Sequence, residues 1–255
     1  MQYVSNNKFL VISIIIFVVI VAVLVANLVA IINNGEMVEA PEIPREETSI
    51  GTGESLKYLI LGDSTSIAQG GEYSKGFAVQ TATKLSEKYT VTYKNVGVSG
   101  ARIKDVATTQ IENSKDFIPD VVLVAVGAND VTHLTSISSI KIDMESIIST
   151  LRDRNKNVKI VFTGAASMGN VKRFIQPFRW FMGSQTKDVN KAFEKLAKEN
   201  NVTFAYVARE TGQQFADHPE YFAQDKFHPN NEGYSVWTKV LDKAIGEALS
   251  SGSGV

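Results

Sequence analysis

"YLILGDSTSIAQG", residues 58–70, runs four apolar residues into a glycine and then a cluster of small polar residues. A short, unbroken apolar run bounded by turn residues reads as a strand buried on both faces, the pattern of a parallel sheet covered by helices. Val91–Asn95, Val121–Val126 ("VVLVAV"), Lys159–Thr163 and Val202–Val207 repeat it. Helical periodicity over Phe77–Lys88, Ile103–Asn113, Ser138–Arg154, Thr186–Glu199 and Asn230–Leu249 falls between or after these runs. This alternation predicts one α/β domain, residues 56–249, built as a three-layer sandwich with right-handed crossovers.

Upstream, residues 9–32 read "FLVISIIIFVVIVAVLVANLVAII", with only Ser13 and Asn27 polar. That length suits a helix crossing a hydrocarbon core of about 30 Å. A cleaved signal peptide would have a shorter apolar stretch and a small-residue cleavage site, which is not evident after this one. The expectation is therefore an uncleaved anchor. Lys8 precedes it and Glu36, Glu39, Glu42, Glu46 and Glu47 follow, with Arg45 alone opposing them. The positive-inside bias puts residues 1–8 in the cytoplasm and the domain outside. Residues 33–55, rich in Glu, Pro, Gly and Thr, read as a flexible linker able to extend roughly 70 Å at ~3.3 Å per residue. Residues 250–255, "SSGSGV", read as a disordered tail.

Composition narrows the chemistry. The 26 basic residues nearly balance 27 acidic ones, and no basic block marks a nucleic-acid surface. With no cysteine and three histidines, thiolate chemistry is excluded and little material remains for a metal centre. No cofactor or metal is expected. G-x-S-x-G, Walker-type, G-x-G-x-x-G and H-E-x-x-H patterns are all absent.

In such sheets, functional residues gather on loops beyond the strand C-termini. Ser64 follows the first strand, "GVSGA" (97–101) the second and "GAND" (127–130) the third, while "DKFHPNNEGY" places Asp225 and His228 before the last helix. Together they hold the inventory of a serine hydrolase: Ser64 as nucleophile, His228 as base, Asp225 to orient it, and an oxyanion hole from Asn129 and the backbone N–H groups of Gly100 and Ser64. Taken singly, Ser64 could be a helix cap, Asn129 a capping residue, and Gly97 a rival donor to Gly100. His133 and His218 are alternative bases, but Asp225 and His228 can face each other across one turn. Asp63 and Asp130 are expected to support their loops rather than react.

These blocks resemble the SGNH, or GDSL-type, hydrolase family: "GDS" at 62–64, Gly100 within "NVGVSG", "GAND" at 127–130 and "DKFH" at 225–228, in the expected order over essentially the whole domain. Alanine at position 128 departs from the glycine or threonine frequent there, with the asparagine retained. The resemblance implies a flavodoxin-like fold around a parallel five-stranded sheet, the roles given above to Ser64, Gly100, Asn129, His228 and Asp225, and hydrolysis of carboxylic esters. The expected substrate is an ester of a surface glycan or a lysophospholipid. Acyl transfer by the same triad and a non-catalytic glycan-binding module are the alternatives. "GNVKRFIQPFRWFMGSQ" (169–185) is the least regular stretch; its aromatics either complete the core or, through Phe178 and Trp180, form a substrate rim.

Overall fold

The computed structural model describes residues 2–251. Helix α1 (Gln2–Asn33) contains the apolar run; its segment Lys8–Asn33 is long and apolar enough to cross a membrane. Most of its apolar side chains from Phe9 onward are exposed. Asn27 is the exception, buried at 6% exposure, with its Oδ1 accepting the Ile175 N–H at 3.1 Å.

The sheet comprises β1 (Thr48–Ile50), β2 (Glu54–Gly62), β3 (Tyr89–Asn95), β4 (Val121–Ala125), β5 (Lys159–Phe162) and β6 (Thr203–Phe204), in the spatial order β1-β3-β2-β4-β5-β6. Every pair is parallel except β1 with β3. The continuous apolar runs are explained by the pleat, which sends adjacent residues into opposite cores. Leu59, Leu61, Val122 and Val124 face α6 (Ile137–Arg154) and α7 (Phe178–Glu199). Tyr58, Ile60, Val121 and Leu123 face α2 (Phe77–Leu85) and α9 (Asn231–Ser250). The domain is thus the expected sandwich.

Between β3 and β4, α3 (Ile103–Asp105) passes through a π-turn (Val106–Gln110) into α4 (Ile111–Asn113). The turn aims Gln110 at the end of β2, where its Oε1 accepts the Gly62 N–H at 2.8 Å and its Nε2 donates to Gly62 O at 2.7 Å. Short α5 (Ala128–Thr132) follows β4, and α8 (Val207–Asp217) follows β6.

Four boundaries differ from the sequence reading. The sheet has six strands rather than five, because β1 adds an antiparallel edge. β6 is only two residues long, since Val207 already opens α8. α7 starts at Phe178, eight residues before the expected Thr186. The tract 33–55 is not a free tether in this structure: β1 lies within it, Ile43 is buried, and Arg45 Nη1 donates to Gly97 O at 2.8 Å. Of the tail, Ser250 closes α9, and residues 252–255 lie outside those described.

Candidate active site

Strand β2 ends at Gly62, and the chain then folds into tight turns that hold Ser64, itself buried, at the sheet edge. Asp63 N–H donates to Ala125 O at 3.0 Å, while Asp63 Oδ1 accepts the Thr65 N–H at 2.9 Å and Thr65 Oγ1 at 2.8 Å. Asp63 therefore shapes the loop. Burial pushes its carboxyl up to about 6, against the pull of both Thr65 bonds and of nearby His228. Ser64 caps no helix, as α2 begins 13 residues later; its Oγ instead lies 3.0 Å from His228 Nε2.

The opposite side comes from a turn that Asp225 folds around itself. Its Oδ1 accepts the N–H groups of Phe227 at 2.9 Å and His228 at 3.0 Å, an Asx-type arrangement that leaves Oδ2 for His228 Nδ1 at 2.7 Å. Lys226 adopts φ 56°, a left-handed conformation that closes the turn. Full burial raises the Asp225 carboxyl, but His228 and the two backbone donors outweigh it and hold the group down at about 2. Gly70, at φ +98°, lets the serine loop reach this turn, since a Cβ there would lie 2.5 Å from Pro229 O and 2.8 Å from His228 Cβ.

Two backbone donors face the serine edge unpaired. Among the described residues neither Ser64 N–H nor Gly100 N–H has a protein acceptor. Gly100 sits at φ +79°, and a Cβ on it would meet open space, so the backbone conformation and free approach both favour glycine. The Gly97 N–H is already committed to Asn95 Oδ1 at 3.0 Å. Asn129 Nδ2 donates to Ala101 O at 3.0 Å, which leaves its second N–H unused; the N-cap of α5 is Gly127. Asp130 accepts the Ile103 N–H at 3.1 Å and is structural.

Neither of the other histidines bonds Ser64 Oγ or Asp225. His133 is exposed and contacts Asn129 O at 2.8 Å; His218 is exposed, 2.8 Å from Glu220. Among the described residues, no group of three or more His, Cys, Asp or Glu residues could hold a metal ion.

One space adjoins Ser64, and a second meets it at Ser167. A small cavity of about 30 Å³ is lined by Ser64, Asn129, Met168, Val171 and Phe227. A larger cleft of about 640 Å³ shares Ser167 with it and is lined by Asn170, Gln176, Trp180, Asn190 and Arg209. Trp180 is 71% exposed there, whereas Phe178 packs on the core and contacts Phe174 and Phe181.

Three contributors escaped the sequence reading. Arg173 is buried and donates from Nη1 to Asp225 O at 3.2 Å and from Nη2 to Gly35 O at 2.9 Å. Val38 N–H donates to Asp225 Oδ2 at 3.2 Å, and Gln69 Nε2 donates to Val38 O at 2.6 Å. Only Gln69 carried a possible signal, its place five residues after Ser64.

The GDSL-like Lipase/Acylhydrolase family profile matches residues 60–236. An uncharacterized protein of Bacillus subtilis, YpmR, is 26% identical over 219 residues, spanning 76% of this chain and 83% of the relative. Among solved structures, TesA superposes with a TM-score of 0.62 at 16% identity over 75% of this chain and 99% of its own. The family 3 carbohydrate esterase of Clostridium thermocellum gives 0.62 at 16% identity, over 79% and 100%. With the α/β/α fold and a family match over more than half its length, this chain belongs to the GDSL-like lipase/acylhydrolase family, the SGNH ester hydrolases.

Proposed function

We propose that the protein is a membrane-anchored, extracytoplasmic serine esterase that removes short acyl groups, with acetyl preferred, from a hydroxyl-rich alcohol. The observation that carries this reading is the continuous chain Ser64 Oγ to His228 Nε2 at 3.0 Å and His228 Nδ1 to Asp225 Oδ2 at 2.7 Å, beside the two unpaired N–H groups. Ser64 Oγ attacks the ester carbonyl as its proton passes to Nε2 of His228. The carbonyl oxygen becomes an oxyanion, and Ser64 N–H, Gly100 N–H and Asn129 Nδ2 are the donors that receive it. His228 then gives its proton to the departing alkoxide, leaving an acyl-serine. Water, deprotonated by His228, attacks that ester and releases the carboxylic acid.

Cavity size supports the short acyl group. A space of about 30 Å³ beside Ser64 suits a methyl group better than an alkyl chain. The larger cleft, with exposed Trp180 at its rim and the amides of Asn170, Gln176 and Asn190 in its lining, suits the alcohol portion; an aromatic face and amide side chains are what a sugar requires. The carbohydrate esterase and an acetylxylan esterase of Geobacillus stearothermophilus share the fold and act on such compounds by name. Orientation rests on Lys8 before the span and the glutamates after it.

A p-nitrophenyl ester series tests the acyl assignment. kcat/KM should fall steeply from acetate through butyrate to octanoate; octanoate turned over as well as acetate overturns it. External protease acting on intact cells or spheroplasts should reach the domain, and complete protection would reverse the orientation.

A further inference from the structure

We infer that the segment leaving the membrane helix, Asn34–Val38, is a positioning element of the active site, and that Val38 presents its backbone N–H to the triad carboxylate for this purpose. The inference rests on the triad assignment proposed above.

Asp225 accepts four hydrogen bonds through its carboxylate. Three come from its own turn: Phe227 N–H, His228 N–H and His228 Nδ1. Among the described residues, the only side-chain contact from outside that turn is Val38 N–H, at 3.2 Å on the same Oδ2 that holds the imidazole. A carboxylate braced solely by its own turn can pivot with it. One held from a second, distant segment cannot, and small misplacement of a catalytic group is costly.

The segment is itself fastened on both sides. Gln69 is buried; its Nε2 donates to Val38 O at 2.6 Å, its Oε1 accepts Ser99 Oγ at 2.6 Å, and its backbone N–H donates to Ser64 O at 3.0 Å. One residue thus joins the Val38 segment and the residue before Gly100, through its side chain, to the Ser64 loop, through its backbone. On the membrane side, Arg173 spans Gly35 O and Asp225 O, Asn34 Nδ2 donates to Arg173 O at 3.1 Å, and Lys226 Nζ donates to Asn34 Oδ1 at 2.7 Å. Asn33 ends the membrane helix, so five residues connect the anchor to the triad.

The test uses the full chain in detergent micelles with p-nitrophenyl acetate. Val38→Pro deletes the N–H, and Val38→Ala retains it. The proline variant should lose about tenfold in kcat, the scale for losing an outer hydrogen bond to a catalytic group, with KM within about twofold. The alanine variant should match wild type. Replacing valine 38 by its hydroxy-acid analogue changes only N–H to oxygen and decides the matter if the proline variant melts early. Gln69→Leu should reproduce the kcat loss. The His228 Nδ1–H proton resonance supplies a readout independent of turnover: freed of the competing Val38 donor, Asp225 Oδ2 should draw that proton closer and move it downfield. An unchanged resonance and kcat in a folded proline or hydroxy-acid variant overturn the inference, as does an equal loss in Val38→Ala. A wild-type chain that hydrolyses no ester counts instead against the esterase reading, and the resonance experiment still judges Val38.

Discussion

Residues 33–55 and 169–185 both lack an apolar period, yet they fold by different means. The first is held mainly by polar and backbone contacts: the β1–β3 ladder, Val38 at both its N–H and its carbonyl, Gly35 O, and the Asn34 and Arg45 side chains. Its glutamates, prolines and glycines are those of a solvated linker, so composition hides the attachment. The second is settled by helix rotation. Phe178, Met182, Thr186 and Val189 fall on the core-facing side of α7, while Trp180, about 200° around from Phe178, faces out. Polarity misleads where backbone groups make the bonds; aromaticity misleads where little more than half a turn of helix separates core from rim.

The largest effect belongs to neither segment and sets the scale for both. Ser64→Ala should lower esterase turnover by at least about a thousandfold with little change in melting temperature. Near-normal turnover in the folded variant would remove the reason for regarding either segment as part of an active-site wall.

Phe178→Ala sharpens the packing side of the contrast. It should cost roughly 2–3 kcal/mol, below the cost for a fully buried phenylalanine because Phe178 is only partly buried, and lower the melting temperature by several degrees. A loss below about half a kilocalorie per mole would show that α7 does not need its first turn.

Within the Ser64 loop, Asp63→Asn separates a polar contact from the burial of a charge. The amide oxygen can still accept both Thr65 bonds, while the buried charge disappears. A carboxyl raised from 3.8 to about 6 on folding contributes stability that is present below about pH 4 and lost as pH rises through 6. The variant should therefore melt higher than wild type at pH 8 and no higher at pH 4. Asp225 works in the opposite sense, since its depressed carboxyl stabilises above about pH 4 and loses that contribution as pH falls towards 2. Melting curves of both proteins from pH 3 to 8 check the two signs, and a variant advantage that persists unchanged at pH 4 contradicts the Asp63 account.

Trp180→Ala should have the smallest effect on stability, within about 0.5 kcal/mol, because the ring is exposed. Its expected signature is a several-fold loss of kcat/KM on an acetylated oligosaccharide and none on p-nitrophenyl acetate. Equal losses on both substrates would return Trp180 to a general structural role.

The legible part of the molecule was what side-chain pattern encodes. The buried runs located five strands, and Ser64, Gly100 and Asn129 follow three of them because loops beyond strand ends converge on one edge. Asp225 and His228 were legible as a pair because three residues of a tight turn bring them together. Val38 was not, since a backbone N–H has no residue signature, and nothing in the residues around Arg173 marks its guanidinium as reaching the carbonyl of Asp225, 52 residues on. β1 was missed because a three-residue edge strand in a polar tract shows no alternation to count. Helix α8 was hidden where the final apolar run, expected to reach Val207 as strand, turned into a helix at that residue.

The π-turn at Val106–Gln110 bears on how this chain can vary by insertion and deletion. A π-turn is the mark of one residue beyond an ordinary helix. Removing one residue of the turn ahead of Gln110 would restore regular winding and swing Gln110 by about 100°, away from the Gly62 peptide it now brackets on both sides. Glutamate at position 110 would fare no better, because it could accept from Gly62 N–H but would set a second acceptor against Gly62 O. Length in this helix is thus under as tight a constraint as identity, and a shortened chain would show it first at the residue two positions before the serine.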